Sequence, residues 1–127
     1  MSADALPESA GVLRTFGTAL ERGDAEAAAE CFAPDAVYEE PPRFSFVGRA
    51  AIYEFVRDFT ARHRAVSFSV MRALASPERA LVAAEWQFSY IRASDGTHVS
   101  FAGMSFVEVE DGQIARWRGY SVAMSVG

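Results

Sequence analysis

The sequence predicts an α+β fold in which helices pack on one face of an antiparallel sheet. Apolar residues recur at helical spacing through the first half of the chain and alternate with polar residues in the second half. Turn signals such as Asp111–Gly112 separate the alternating stretches. The chain has 127 residues and no repeat, linker or low-complexity segment, so one domain is expected over residues 1–127.

The first helix is expected to begin at Pro7 and to end at Gly23. Proline suits the first helical position, Glu8 places an acid in the first turn, and glycine commonly ends a helix in the left-handed conformation. Asp24 then offers a side-chain cap for a short, alanine-rich second helix that runs to about Cys31.

A short extended segment and a third helix complete the first half. Ala33–Pro34–Asp35 is expected to break the second helix, residues 36–40 to be extended, and Pro41–Pro42 to end that strand. Gly48 precedes a third apolar stripe at helical spacing, which predicts a helix to about His63.

The second half is expected to form a four-stranded meander. Alternation predicts strands at residues 66–70, 82–90, 98–108 and 113–122, with a turn at Ser76–Pro77–Glu78 after the first of them. The clearest alternation places these side chains on one face: Val82, Ala84, Trp86, Phe88 and Tyr90.

Two hairpin turns predict which residues share a face. Asp111–Gly112 is typical of a two-residue loop, which would pair Phe106 with Trp117. Ser94–Asp95–Gly96 is expected to be a three-residue loop, which would pair Trp86 with Met104. Together the turns predict an inner face with Trp86, Phe88, Met104, Phe106 and Trp117. The outer face would carry Glu85, Gln87, Phe101, Ser105, Val107, Arg116, Arg118 and Tyr120.

Composition excludes several classes of function. The net charge of −5 disfavours nucleic acid and anionic membranes as partners. The chain has no Lys, which removes Schiff-base catalysis, and a single cysteine, Cys31, which removes an internal disulfide. No metal-ligand spacing occurs, so no metal is expected. The first residues lack the pattern of a signal peptide and no apolar run is long enough for a membrane span, so a cytoplasmic location is expected.

Three stretches of the chain resemble the nuclear transport factor 2-like superfamily, and within it the SnoaL-like proteins. They are residues 19–24 (ALERGD), 32–38 (FAPDAVY) and 111–118 (DGQIARWR). The resemblance implies a cystatin-like fold: a cone-shaped, curved antiparallel sheet wrapped around a long N-terminal helix, with two further helices and an apolar pocket. It also implies a homodimer, which this family commonly forms through the outer sheet face.

Within that superfamily, the ketosteroid isomerases are the nearest catalytic pattern. They carry an acid directly before a proline at the end of the first strand, and Glu40–Pro41 stands at that place. Their two hydrogen-bond donors to the developing oxyanion fall on Phe16 and Met104, which cannot donate such bonds. Steroid isomerisation by that route is therefore not expected.

Two other members of the superfamily match less well. Limonene epoxide hydrolase has an acid after the Trp-Arg pair of the last strand, where this chain has Gly119. Scytalone dehydratase uses two histidines, for which only His63 and His98 are available. His63 lies in a charged run and is expected at the surface, whereas His98 is expected to face the pocket.

Glu40 is the candidate acid/base group, with Tyr38 and His98 as candidate polar partners. A carboxyl group among aromatic side chains, with no Arg of the same strand phase nearby, is expected to have a raised pKa. The same aromatic side chains could also be ordinary core. The predicted pocket comprises Phe16, Leu20, Phe55, Phe59, Trp86, Phe88, Met104, Phe106 and Trp117.

Two functions of different classes remain open from the sequence. The first is a cofactor-independent isomerase or cyclase that binds a small, mostly apolar, cyclic molecule in the cone and uses Glu40 to move a proton. The second is a non-catalytic module that uses the same pocket for a ligand, or the sheet for dimerisation. A homodimer is expected through Phe101, Val107 and Tyr120, because apolar residues on an uncovered face usually mark an interface.

Overall fold

Three α-helices and six strands follow one another in the computed structural model, which describes residues 6–77 and 80–126. The expected α+β fold is confirmed, and the predicted turn position Glu78 lies outside the described residues. The elements are a 3₁₀ turn at Glu8–Ala10, α1 at Gly11–Arg22, α2 at Ala25–Glu30, β1 at Phe32–Glu40, β2 at Phe44–Val47, α3 at Arg49–Arg62, β3 at His63–Ala75, β4 at Leu81–Arg92, β5 at His98–Glu110 and β6 at Gln113–Val126.

The boundary between α1 and α2 follows the predicted capping chemistry. Gly23 adopts the left-handed conformation, with φ of 69°, and its N–H donates to carbonyl groups of the last turn of α1. The Asp24 side chain then accepts a 3.0 Å hydrogen bond from the N–H of Ala27 and caps α2. These caps orient α1 so that Phe16 and Leu20 are buried against the sheet.

The six strands form one curved sheet in the order β2-β1-β6-β5-β4-β3. Every pair is antiparallel except β1 and β6, which run parallel. Helix α1 approaches β3 closely at Gly17, where an added Cβ would lie 2.7 Å from the Cδ1 atom of Phe68. The hydrophobic core therefore lies between the inner face of the sheet and the helices, as expected for the cone.

The edge of the sheet extends further than the sequence predicts. Strand β1 begins at Phe32 and runs through Pro34, whereas the sequence predicts an extended segment only from residue 36. Pro34 is accommodated because the register between β1 and β6 shifts between Phe32 and Val37, so the ladder needs no N–H at that point. Strand β2, Phe44–Val47, was not predicted, and it pairs with β1 alone at the edge of the sheet.

The turn between β4 and β5 is one residue longer than predicted. The N–H of Arg92 donates to the carbonyl of Thr97, so residues 93–96 form a four-residue loop. The N–H of Ala93 is used elsewhere, in a 3.0 Å hydrogen bond to the carbonyl of Arg62 at the end of α3. As a result Trp86 pairs with Gly103, and the predicted pairing with Met104 is wrong.

A second shift of one residue occurs between β5 and β6. The two-residue turn at Asp111–Gly112 forms as predicted, but Val109 pairs with Ile114 whereas the preceding residue, Glu108, pairs with Arg116. Ala115 is the extra residue, and Trp117 lies opposite Val107. The predicted facing pair of Phe106 and Trp117 is therefore wrong, because the two side chains lie on opposite faces.

These two shifts invert only β5. Because side chains alternate along a strand, a shift of one residue moves every side chain of β5 to the other face. The side chains of β5 that face the core, against the prediction, are Phe101, Ser105 and Val107. Because one shift lies on each side of β5, the neighbouring strands keep their predicted faces, and Trp86 and Trp117 both face inward as predicted. None of the helices described here approaches the length of about 20 apolar residues that a membrane span needs.

Candidate functional site

A cavity of about 210 Å³ lies between the inner face of the sheet and helices α1 and α3. Its wall is mainly aromatic and aliphatic, and such a wall suits a small, mostly apolar ligand. The lining residues are Leu20, Tyr38, Glu40, Arg43, Phe44, Phe55, Val56, Phe59, Phe68, Trp86, Phe88, Tyr90, Phe101, Trp117 and Ser121.

Three of these side chains form what we call the polar end of the cavity: Glu40, Arg43 and Ser121. Glu40 is the last residue of β1 and is only 8% exposed. Nη2 of Arg43 contacts both Oε1 of Glu40 and Oγ of Ser121, and the Ser121 hydroxyl also donates to Oε1 of Glu40. The cavity thus ends at a buried carboxylate whose charge is compensated by one guanidinium group.

The turn between β1 and β2 brings Arg43 back to Glu40. The N–H of Arg43 donates a 2.8 Å hydrogen bond to the Glu40 carbonyl, and Glu40 pairs with Phe44 across the turn. The guanidinium lies over the Phe101 ring at 4.9 Å from its centroid. The sequence predicts no Arg of the same strand phase near Glu40. Arg43 reaches Glu40 from the turn instead, and strand phase says nothing about a side chain that arrives from a turn.

Tyr38 lies two residues before Glu40 on the same face of β1. Its ring packs edge-on against Phe55 at 6.0 Å and Trp117 at 5.8 Å. Burial, and secondarily the charge of Glu40, raise the pKa of the Tyr38 hydroxyl, so it stays protonated at neutral pH. No side chain or backbone group of the described residues bonds to that hydroxyl, which leaves a hydrogen-bond donor in the cavity wall.

His63 supports the cavity from outside its lining. Its ring stacks on Phe59 at 4.1 Å and lies edge-on to Tyr90 at 4.4 Å. Nδ1 lies 2.7 Å from the Phe59 carbonyl, and since a carbonyl only accepts, Nδ1 carries the hydrogen. His63 is half-buried and fixes two aromatic residues that line the cavity.

Comparison with known proteins places the chain in a family. The sequence profile of the SnoaL-like domain matches residues 12–117. The chain belongs to the SnoaL-like domain family. The uncharacterized protein YesE of Bacillus subtilis is 29% identical over 113 residues, which cover 85% of this chain and 77% of YesE.

Solved structures agree with the SnoaL-like fold. A Bacillus subtilis structure described as "Putative Isomerase" superimposes with a TM-score of 0.81 at 26% identity, over 96% of this chain and 90% of that one. An LEH-like epoxide hydrolase of M. tuberculosis superimposes with a TM-score of 0.78 at 23% identity, over 91% of this chain and 83% of that one. At 23% identity, the similarity to the epoxide hydrolase shows a shared fold alone.

In this SnoaL-like domain the predicted pocket residues fall into three places. Phe16 is 1% exposed and lies behind the cavity wall, with its ring 5.6 Å from that of Trp117. Met104 and Phe106 lie on the outer face, 52% and 57% exposed, because β5 is inverted relative to the prediction. Those that line the cavity are Leu20, Phe55, Phe59, Trp86, Phe88 and Trp117.

The candidate polar residues separate in the same way. Tyr38 and Glu40 both line the cavity of the SnoaL-like domain, whereas His98 is exposed at the start of β5 and pairs with Ile91. The expectation that His98 faces the pocket is wrong for the same reason as for Met104. Met104 stands at the position that the resemblance assigns to one of the oxyanion donors of the ketosteroid isomerases, and it does not line the cavity.

Sequence reasoning missed seven lining residues. Four of them carried a signal that would have placed them in the wall: Phe68 alternates with Ser67 and Ser69, Tyr90 shares the phase of Trp86, Ser121 shares the phase of Trp117, and Val56 belongs to the apolar stripe of α3. No such signal exists for the other three, since their positions depend on the unpredicted strand β2, the inverted strand β5 or a turn. These are Arg43, Phe44 and Phe101.

No group of three His, Cys, Asp or Glu side chains in the described part of the SnoaL-like domain lies close enough together to hold a metal ion.

Proposed function

We propose that the protein binds a small, mostly apolar cyclic carbonyl compound in the cavity and moves a proton within it, as a cofactor-independent isomerase or cyclase. The observation that supports this most is the buried Glu40 carboxylate at the end of an aromatic cavity. Side chains of this kind act as general acid/base groups when they lie within reach of a bound substrate.

The proposed step begins with Glu40 as the base. One Glu40 oxygen takes a proton from the carbon next to the substrate carbonyl, the C–H electrons form a C=C bond, and the carbonyl oxygen becomes an enolate. Protonated Glu40 then returns the proton to another carbon. Alternatively, the enolate carbon attacks a second carbonyl and closes a ring, and Glu40 gives its proton to the alkoxide oxygen that this attack forms. Tyr38, which stays protonated at neutral pH, donates a hydrogen bond in the cavity without being consumed.

A non-catalytic ligand-binding module is the second candidate. It is favoured by the contacts of Glu40, since Arg43 and Ser121 both bond to Oε1 of the same carboxylate. A carboxylate held in this way can also serve only to close the end of a binding cavity. The two candidates differ in whether bound ligand exchanges protons with Glu40.

Proton exchange into β,γ-cyclohexenone in heavy water separates the two candidates. We expect the wild-type protein to speed deuterium incorporation next to the carbonyl, measured by NMR, and formation of the conjugated isomer, measured by absorbance. Glu40→Gln should reduce both rates by about a hundredfold or more. The matched control is Glu39→Gln, since Glu39 is the neighbouring residue and pairs with Arg116 and Arg118 instead of facing the cavity.

Occupancy of the cavity is measured in the same samples by tryptophan fluorescence. The chain has two Trp residues, Trp86 and Trp117, and both line the cavity. Quenching by the ketone without any exchange above the buffer rate would reject the enzyme and support the non-catalytic module. Equal exchange by the wild-type protein and Glu40→Gln would reject Glu40 as the base.

We also propose a homodimer through the outer face of β5 and β6. Of the residues expected there, Phe101 and Val107 face the core, whereas Tyr120 is exposed. The outer face carries an apolar patch to which the inverted strand β5 contributes Met104 and Phe106 and β6 contributes Tyr120, Val122 and Met124, each at least 48% exposed. Exposed patches of this kind usually mark interfaces, and the same patch can meet itself across a two-fold axis.

Light scattering at micromolar concentration tests the dimer. We expect twice the monomer mass for the wild-type protein and the monomer mass for Phe106→Glu. The control Ala50→Glu places the same charge at an exposed position of α3 and should remain a dimer. A monomeric wild-type protein would contradict the proposal.

A further inference from the structure

Arg43 is the cation of the cavity. Among the described residues that line it, Arg43 alone carries a permanent positive charge, and its side chain is 45% exposed. The charge acts inside the cavity: burial raises the pKa of Tyr90, while the nearby charges of Arg92 and Arg43 oppose that rise. A ligand in the cavity therefore meets one fixed positive group.

The guanidinium group of Arg43 has unused donors. Its contacts with Glu40 and Ser121 both involve Nη2. A guanidinium has five N–H donors, and no hydrogen bond within the described residues engages Nε or Nη1 of Arg43. The cation–π contact with Phe101, with Cζ of Arg43 4.9 Å from the ring centroid, helps to hold the group and these donors beside the Glu40 carboxylate.

The charges of the polar end fit a ligand whose oxygen becomes negative. Before proton transfer, Glu40 carries the negative charge next to Arg43. After transfer Glu40 is neutral and the charge lies on the ligand oxygen, so a guanidinium within reach of both keeps a negative partner throughout. A purely hydrocarbon ligand would instead remove water from this ion pair without replacing its hydrogen bonds, which is costly.

We propose that Arg43 binds the oxygen of the ligand and stabilises its negative charge, so that the substrates are enolisable cyclic carbonyl compounds rather than hydrocarbons or epoxides. This inference rests on the proposed function, because it assumes that the ligand occupies the cavity beside Glu40. Arg43 thereby supplies the oxyanion stabilisation that Phe16 and Met104 do not provide.

Binding of para-nitrophenol tests the inference without any turnover. Its phenolate is a stable, coloured equivalent of an enolate, and absorbance separates it from the neutral phenol. Para-nitrotoluene has the same ring and nitro group but no acidic oxygen. Binding of both is measured through the fluorescence of Trp86 and Trp117, at a pH where phenol and phenolate coexist.

We expect Arg43→Met to weaken para-nitrophenolate binding about tenfold or more, as for a lost charge-assisted hydrogen bond. Binding of para-nitrotoluene should change by no more than about twofold, which also shows that the variant folds with an intact cavity. Arg43→Lys keeps the positive charge but lacks the planar guanidinium group. Its affinity for para-nitrophenolate should therefore fall between those of the wild-type protein and Arg43→Met. Glu40→Gln should raise the bound phenolate fraction, since the competing carboxylate is removed, whereas Glu39→Gln should not.

Equal phenolate binding by the wild-type protein and Arg43→Met would overturn the inference. Loss of both ligands in Arg43→Met would also overturn it, provided that Arg43→Lys shows the same loss, because Arg43 would then only hold the cavity open. Failure of the proposed function is distinguishable, since proton exchange can be absent while the phenolate still depends on Arg43.

Discussion

The indole N–H of Trp86 donates a 2.8 Å hydrogen bond to the hydroxyl of Ser105, and both side chains are buried. Ser105 lies on β5, on the face that the sequence placed outside. Directly opposite Trp86 on that strand is Gly103, where an added Cβ would lie 2.5 Å from the indole ring. The cavity wall at Trp86 therefore depends on two small residues of the inverted strand.

Ser105→Ala should lower the free energy of unfolding by about 1–3 kcal/mol, because the buried Trp86 N–H loses its partner. Ser69→Ala is the matched control, since Ser69 is exposed on β3 and its change should stay within about 0.5 kcal/mol. Urea unfolding measures both. If the two variants lose the same stability, the buried hydrogen bond is not the cause.

Gly103→Ala should displace the Trp86 ring and lower the free energy of unfolding by about 1–3 kcal/mol. Its Trp emission should shift, and its response to para-nitrotoluene should weaken, since the displaced ring lines the cavity. Gly11→Ala is the control, because no atom lies within 4 Å of a Cβ added there. An unchanged ligand response in Gly103→Ala would contradict the packing described for Trp86.

Asp24→Ala should lower the free energy of unfolding by about 0.5–2 kcal/mol, since α2 loses its side-chain cap on the Ala27 N–H. Asp35→Ala removes the same charge from an exposed position of β1 and should have a smaller effect. Thermal unfolding at low and high salt distinguishes the cap from a general charge effect, which salt would screen.

Stability should decrease in alkaline solution. Burial, and secondarily the charge of Glu30, raise the pKa of the Cys31 thiol from its ordinary value of 9.0 to about 11. The pKa of Tyr38 is raised above its ordinary 10.0 by burial and by Glu40. Between these ordinary values and the raised ones, the unfolded chain has lost protons that the folded protein keeps, so the free energy of unfolding falls as pH rises.

Urea unfolding from pH 8 to pH 11 measures this dependence. The contribution of Cys31 is fully present below pH 9 and is lost as the pH passes through about 11, so Cys31→Ala should have a shallower decline over that interval. The absolute stability of the variant is not informative, since the substitution also changes packing. Parallel declines for both proteins would show that Cys31 does not contribute.

The sequence by itself determined the elements whose signals are local. Gly23 and Asp24 end one helix and begin the next because the left-handed residue and the side-chain cap act within one turn of the chain. The alternation of β4 placed Trp86 on the inner face and Glu85 on the outer one. Glu40 was expected in the cavity because Glu40–Pro41 stands where the resemblance to ketosteroid isomerases places an acid before a proline, and it lines the cavity.

Tertiary contacts decided the rest. Where the two shifts in register occur, a backbone N–H bonds outside its own hairpin: Ala93 to Arg62 at the end of α3, and Ile114 to Cys31 at 2.7 Å beside β1. Neither partner is near in sequence, so rules based on the turn residues cannot predict these hydrogen bonds. A shift of one residue then inverts a whole strand, because side chains alternate with a period of two. The same holds for Arg43, whose place at the polar end depends on how the β1–β2 turn, Ser121 and Phe101 meet in the folded protein.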